Sequence, residues 1–333
     1  MLCKWSARLL LRLLLLGAFI CTSTCRPPQN DGAMYTDPAR AGPDYEIQGE
    51  YLGQARLEKG EQTWGAQVIA LGNGKFHLVL FHGGLPGMGW KRGDEQLLGD
   101  GQISDGGATF QMDQWSATIR VGTLTVFNRD MSPIGVLKKM ERKSPTLGAK
   151  PPARAVVLFE GTTADTFKNG KIVMGNLLAA DCTSKQKFGD HSLHVEFRTP
   201  FKPNARGQAR GNSGVYVQSR YEIQVLDSFG LEGKDDECGG IYSIAAPVVN
   251  MCLPPLTWQT YDLDFTAARY DSGGKKIQNA RIIVHHNGVM IHDNLELSHG
   301  TPGPSPEGPA PEALYLQGHG DPVVFRNIWA ISK

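Results

Sequence analysis

The sequence predicts an all-β protein, a C-terminal jelly-roll sandwich preceded by a smaller N-terminal β domain. Three observations carry that expectation. Short runs of alternating apolar and polar residues recur along the chain, separated by turn residues. Glycine (40) and proline (20) are abundant, which punctuates strands and interrupts helices. No amphipathic helical pattern runs longer than about two turns. At 333 residues there is room for two domains, each able to bury its own core. A net charge of +1 without a basic stripe argues against nucleic acid as a partner, and nothing points to a protein partner.

In chain order, residues 1–23 read as an export signal: Lys4, Arg8 and Arg12 precede the apolar run Leu13–Ile20, followed by small residues. The uninterrupted apolar run falls short of the roughly 20 residues a bilayer span needs, so no stable membrane span is expected. Export places the protein in a periplasm, on a cell surface or outside the cell. Lipid attachment at Cys21 or Cys25 is poorly supported by the flanking residues. Residues 24–44 are polar and proline-rich and read as a flexible lead-in. Residues 45–140 form an accessory β domain. In it, Trp64–Leu80 reads as a hairpin about Gly72-Asn73-Gly74, and Ala117–Phe127 as a second pair broken at Gly122. Between them, GGLPGMGWKRGDE is too glycine-rich for regular structure. It lacks the Lys-Ser/Thr pair and following helix of a phosphate loop, and reads as a surface loop overhanging the other domain.

The charged, proline-rich stretch 141–154 is the linker, and 155–333 the sandwich. Its expected strands are 156–159, 192–199, 214–218, 221–226, 259–266, 280–286, 289–292, 313–317 and 323–331. The proline-rich segment 298–312 cannot pair in a ladder and is a loop.

The most informative stretch is Gly211–Asp227, GNSGVYVQSRYEIQVLD. Read with period two, it lines up Tyr216, Gln218, Arg220, Glu222 and Gln224 on one face. Val215, Val217, Ile223 and Val225 lie on the other. A row of multivalent hydrogen-bonding groups suits a sugar; the competing reading is a solvated outer strand. Cys238 and Cys252 flank a loop with Gly239, Gly240, Pro247 and Asn250. In an exported protein a disulfide between them is expected, against the alternative of two buried thiols. Their spacing matches no zinc pattern, and no metal site is assigned.

Residues 155–331 resemble the 3-keto-disaccharide hydrolase domain family of the concanavalin A-like lectin/glucanase superfamily. The matching pieces, in order, are Leu158–Gly161, Lys187–Pro200, Asn212–Ser228, Gly239–Tyr242, Thr257–Phe265, His286–Gly288 and Leu316–Ile328. The resemblance implies a jelly roll with a sugar cleft on one sheet, and substrates already oxidised to a ketone at sugar carbon 3. That ketone acidifies the hydrogen on C2, so one base can start an elimination that breaks the C1–O bond, and water then adds back. Such a route needs a base and a polariser for the enolate oxygen, not two matched acids. Family-16 glucanases of the superfamily use Glu-x-Asp-x-x-Glu. Here the positions are Glu222, Gln224 and Asp227, which lack the central acid. On a regular strand Glu222 and Asp227 would stand roughly 16 Å apart on opposite faces, against the spacing of about 5–5.5 Å that a retaining pair needs.

The expected function is therefore hydrolysis of 3-keto-glycosides by elimination and hydration. The alternatives are a non-catalytic carbohydrate-binding module and, less favoured, an endo-glucanase. Glu222 is the first choice for the base, with pairing to Arg220 or Arg198 as its competing role. His319, in Gln317-Gly318-His319-Gly320, is the second catalytic candidate and Asp227 the third; Asp227 could equally cap a turn. Asn212, Tyr216, Gln218, Arg220, Gln224, Tyr242, Trp258 and Arg326 are the substrate-binding candidates, with Tyr242 and Trp258 equally placed to be core. His285, His286 and His292 do not converge as metal ligands, because adjacent strand residues face opposite ways. No cofactor is expected beyond a structural calcium, which the superfamily would allow and whose ligands the sequence does not identify.

Overall fold

The computed structural model describes residues 32–57 and 60–333. The expected export signal and the start of the lead-in lie outside those residues. Among the described residues the regular structure is almost entirely β, and the longest helix is the six-residue Gly42–Ile47. No helix among them is long and apolar enough to cross a membrane.

The first β region is an eight-stranded antiparallel meander closed into a barrel by pairing of its first strand, Gly49–Leu57, with its last, Pro133–Met140. Both expected hairpins lie in it. Gly60–Gly72 and Lys75–His82 turn at Asn73 and Gly74, with φ of 55° and 70°; Ser116–Arg120 and Thr123–Phe127 turn at Val121 and Gly122. Alternation divides the long hairpin between two cores. Trp64, Ala66, Val68, Phe76, Leu78 and Leu80 fill the barrel, whereas Ile69, Val79 and Phe81 pack outward into the core of the second β region. Phe201 and Leu256, contributed by the sandwich, belong to the barrel core.

Residues 35–47 correct the expectation of a flexible lead-in. Tyr35 exchanges backbone hydrogen bonds with Phe201 at 2.9 Å, and Asp37 caps a short 3-10 turn through Ala39 N. The glycine-rich loop 83–95 reaches the sandwich as expected. It is less superficial than expected: Leu85 and Trp90 are buried, and Arg92 Nη2 donates to the carbonyls of Glu232, Gly233 and Pro247.

The sandwich stacks an eight-stranded sheet on a five-stranded one. In the larger sheet, Val324–Ser332, His191–Arg198, Gln259–Thr266, Ala280–His286 and Val289–Leu297 are consecutive neighbours. In the smaller, the order is Phe167–Lys168, Cys182–Phe188, Glu312–Leu316, Ser213–Val217 and Tyr221–Val225. The inner faces meet through Leu193, Val195, Phe197, Tyr261 and Phe265 on one side and Val215, Val217, Ile223, Val225 and Leu316 on the other. The longest sandwich strand that the sequence reading did not assign is Cys182–Phe188. It buries Cys182, Ser184 and Phe188 but carries three successive exposed polar residues between, which hides its alternation.

Candidate functional site

The two expected strands are present as Ser213–Val217 and Tyr221–Val225, but the period-two row does not run unbroken through the turn between them. Gln218 and Ser219 take φ of 52° and 51°, a two-residue turn closed by Arg220 N donating to Val217 O at 3.2 Å. A left-handed backbone costs a side-chain-bearing residue about 1–2 kcal/mol. Two bonds offset this: Gln218 Nε2 donates to Phe188 O and Ser219 Oγ to Ala313 O, each at 2.9 Å. Gln218 and Arg220 therefore leave the expected row and become turn and roof supports. Register across the hairpin sets Tyr216 against Glu222 and Gly214 against Gln224, so these share the outer face.

That face is not an open groove. Tyr216, Gln218, Arg220, Glu222 and Gln224 are each between 1% and 5% exposed. The proline-rich loop folds over them. Arg220 Nε donates to Pro306 O at 2.7 Å, and its Nη1 to Gly308 O and Ala310 O. Thr301 Oγ1 accepts from Glu222 N at 2.9 Å, and Tyr221 Oη donates to Glu307 at 2.6 Å. Prolines that cannot donate in a ladder still present carbonyls, and an arginine in a turn gathers them.

Beneath this roof lies one carboxylate. Glu222 Oε2 accepts from Tyr216 Oη at 2.7 Å, and burial pushes its carboxyl up to about 7 even against that bond. Burial and then the charge of Glu222 hold the Tyr216 phenol protonated well above its usual range. Gly214 makes the arrangement possible, because a Cβ there would overlap Glu222 Oε1 and the Tyr216 ring. Gln317 Nε2 donates to Tyr216 Oη at 3.2 Å, while its buried Oε1 has no partner. The Tyr315 ring sits 5.4 Å from that of Tyr216. Tyr242 joins from the segment Gly239–Tyr242, which extends the sheet past Gln224 through Gln224 N to Gly240 O and Gly239 N to Gln224 O. Tyr242, Tyr315 and Gln317 are half-buried around Glu222, and they form the approachable part of the site. Tyr315 and Gln317 were missed in sequence, although their period-two spacing after Ala313 placed them on the polar face.

Gln224 and Asn212 join one amide network. Gln224 Nε2 donates to Asn212 Oδ1 at 2.9 Å, Asn212 Nδ2 to Gln208 Oε1 at 2.9 Å, and Asn212 N to Asp321 at 2.7 Å. Asp227 is committed elsewhere: Arg210 Nε donates to it at 2.7 Å, and Arg210 also binds Ala70 O and Pro203 O. Burial raises the Asp227 carboxyl and Arg210 opposes that rise. The ion pair lies within the sandwich, and Arg210 ties it to the barrel through the Ala70 carbonyl. His319 is exposed on the loop after Gln317.

Arg326 and Trp258 do not join Glu222. They lie on the outer face of the opposite sheet, with the Arg326 guanidinium 4.0 Å from the Trp258 ring centre and its Nε on Glu196 at 2.7 Å. Glu196 also faces buried His194, whose Nδ1 contacts Asp262 at 2.5 Å. The linker covers this cluster through Thr146 to Asp262 and Gly148 N to Glu196.

Cys238 and Cys252 are both free buried thiols rather than the expected bridge. Cys238 Sγ lies 3.3 Å from Tyr261 Oη, and Cys252 Sγ donates to Leu226 O at 3.4 Å. Of the histidines, His286 contacts Gln259 at 3.0 Å and His292 contacts Gly239 O at 2.7 Å. Among the described residues, no three His, Cys, Asp or Glu side chains gather as a metal site.

The second β region is thus a two-sheet sandwich with a polar outer face over the smaller sheet. Residues 154–331 match the family described as 3-keto-alpha-glucoside-1,2-lyase-like domain, and the chain belongs to that family. The match covers the sandwich and leaves the barrel outside it. A comparison with curated proteins found no match. Solved structures similar to this chain include three crystal structures from Parabacteroides distasonis ATCC 8503, assigned as candidate glycosyl hydrolases. The first is 28% identical, covering 54% of this chain and 84% of that one, with a TM-score of 0.49. The second is 16% identical, covering 54% and 94%, with a TM-score of 0.40. The third is 21% identical, covering 54% and 99%, with a TM-score of 0.39.

Proposed function

We propose that the sandwich cleaves 3-keto-glycosides by elimination followed by hydration, with Glu222 as the base. The observation that carries this reading is a single carboxylate, buried, raised to about 7 and paired with a phenol rather than a second acid. A base of that strength takes a proton near neutral pH. Asp227 is held by Arg210, so no acid partner is set for paired-carboxylate hydrolysis.

In the first step Glu222 removes the hydrogen on C2. The electrons form an enolate on the C3 carbonyl and then expel the C1 oxygen with its substituent, which leaves an unsaturated ketone. Water adds at C1 and a proton returns to C2, giving 3-keto-glucose and the free alcohol. In this reading the Gln317 amide and the Tyr242 phenol serve as the donors to the enolate oxygen. Export of the protein would place this step outside the cytoplasm.

The test is incubation with 3-keto-trehalose and with unoxidised trehalose in heavy water, for the wild type and Glu222→Gln. Expected is release from the keto sugar alone, with deuterium at C2 of the product, lost in the variant. Release without deuterium refutes elimination. Binding by both proteins with release by neither favours a carbohydrate-binding module.

A further inference from the structure

A cavity of about 580 Å³ opens at the seam of barrel and sandwich. It falls within the roughly 300–1,000 Å³ range of small-molecule sites. Four segments build it: the helical lead-in with Pro38, Ala39 and Tyr45; the barrel edge with Gln48 and Lys139; the start of the linker with Glu141 to Lys143; and the loop carrying Pro254 and Leu256. The cavity therefore exists only where both β regions meet.

Its chemistry narrows the occupant. Lys139, Arg142 and Lys143 balance Glu46, Glu50 and Glu141 in the lining, so no net charge selects an ion. Arg142 and Gln67 already hold Glu50, and Lys139 Nζ is bonded to Glu46 O. Gln48 is different. It is 2% exposed, its Oε1 accepts from Ala70 N at 3.1 Å, and its Nε2 has no partner. A buried amide N–H₂ left unpaired costs about 1–3 kcal/mol, which a hydroxyl acceptor in the cavity would recover once the side chain turns toward it. Beside it stand the ring of Tyr45, packed on Phe201 at 5.4 Å, and the apolar Leu256, Pro254 and Pro38. An apolar patch of Pro38, Tyr45, Pro254 and Leu256 within a lining of balanced charges fits a pyranose, which has an apolar C–H face and a hydroxyl rim.

We propose that this seam cavity is a second carbohydrate site, binding a neutral sugar ring through Tyr45 and Gln48, separate from the Glu222 site. The sugar class rests on the proposed function, but binding here does not depend on turnover. The test is hydrogen–deuterium exchange of the full chain with millimolar methyl α-glucoside or trehalose, for wild type, Ala39→Trp and Glu222→Gln. Ala39 is exposed on a short turn, so a tryptophan there fills the cavity without entering a core. Expected is slowed exchange in residues 38–50 and 139–143 of the wild type and Glu222→Gln. In Ala39→Trp the sugar concentration needed should rise at least about tenfold, with exchange near Glu222 unchanged. Protection confined to the Glu222 region, absent from both, or equal in Ala39→Trp and wild type overturns the proposal. Loss of keto-sugar cleavage with seam protection intact would refute only the catalytic reading.

Discussion

His194 should make the stability of this protein fall as pH rises through the mildly alkaline range. The side chain is fully buried between Asp262 and Glu196, and its ring stacks on Trp329 at 5.1 Å. Burial alone would lower its pKa, but hydrogen bonds to Asp262 and Glu196 outweigh that and raise it from 6.5 to about 8. Each pKa unit is worth about 1.4 kcal/mol, so the protonated ring contributes on the order of 2 kcal/mol. Burial would raise Glu196, but hydrogen bonds from His194, Asn327, Gly148 N and Arg326 overcome it and bring it further, down to about 2. The two shifts describe one shared contact and are not summed. The folded pKa exceeds the unfolded value. The contribution is therefore complete below about pH 6.5 and disappears as pH rises through about 8. The linker feels it first, since Thr146 and Gly148 bind the same two carboxylates. The assay is urea unfolding of wild type and His194→Gln across about pH 6 to 9. The wild type should lose about 2 kcal/mol relative to the variant over that range. Parallel profiles would refute the reasoning, because they would mean His194 is neutral throughout.

Four further outcomes follow, three from the Glu222 site and one from the Asp227–Arg210 ion pair. Cleavage of a 3-keto-glycoside should rise with pH to a plateau, with its midpoint in kcat/KM near the value of about 7 set by burial of Glu222. The folded pKa of Glu222 lies above its unfolded value, so ionisation opposes folding. Glu222→Gln should be inactive yet more stable above neutrality by about 1–3 kcal/mol, read by urea unfolding at alkaline pH. Gly214→Ala should cost about 1–3 kcal/mol of stability and displace the pH midpoint, because the added methyl drives into Glu222 Oε1 and Tyr216. Asp227→Asn should lower stability by about 3–5 kcal/mol by leaving Arg210 buried without its partner, while active-site titration finds unchanged kcat per folded molecule.

Much of the fold was legible in sequence. Alternation located Val156–Phe159, Gln259–Thr266 and Ala280–His286 to the residue, because a strand with one buried face writes its period into the chain. Gly72-Asn73-Gly74 announced its turn, since it offers residues that take positive φ cheaply. The Gln218-Ser219 turn carried no such signal. Side-chain bonds to two other strands hold it, and those partners lie 30 and 94 residues away.

Glu222 and Gln224 share a face by sequence alone, because side-chain direction within a strand depends only on parity; Tyr216 joins them only through the register of the turn. The covering of that face by a proline-rich loop, the commitment of Asp227 to Arg210 and the closure of the barrel were not set by sequence alone. Each depends on segments distant in the chain meeting in space, and no local pattern encodes a partner. The strength of Glu222 as a base belongs to the same category, since an acid's pKa is set by what removes its water.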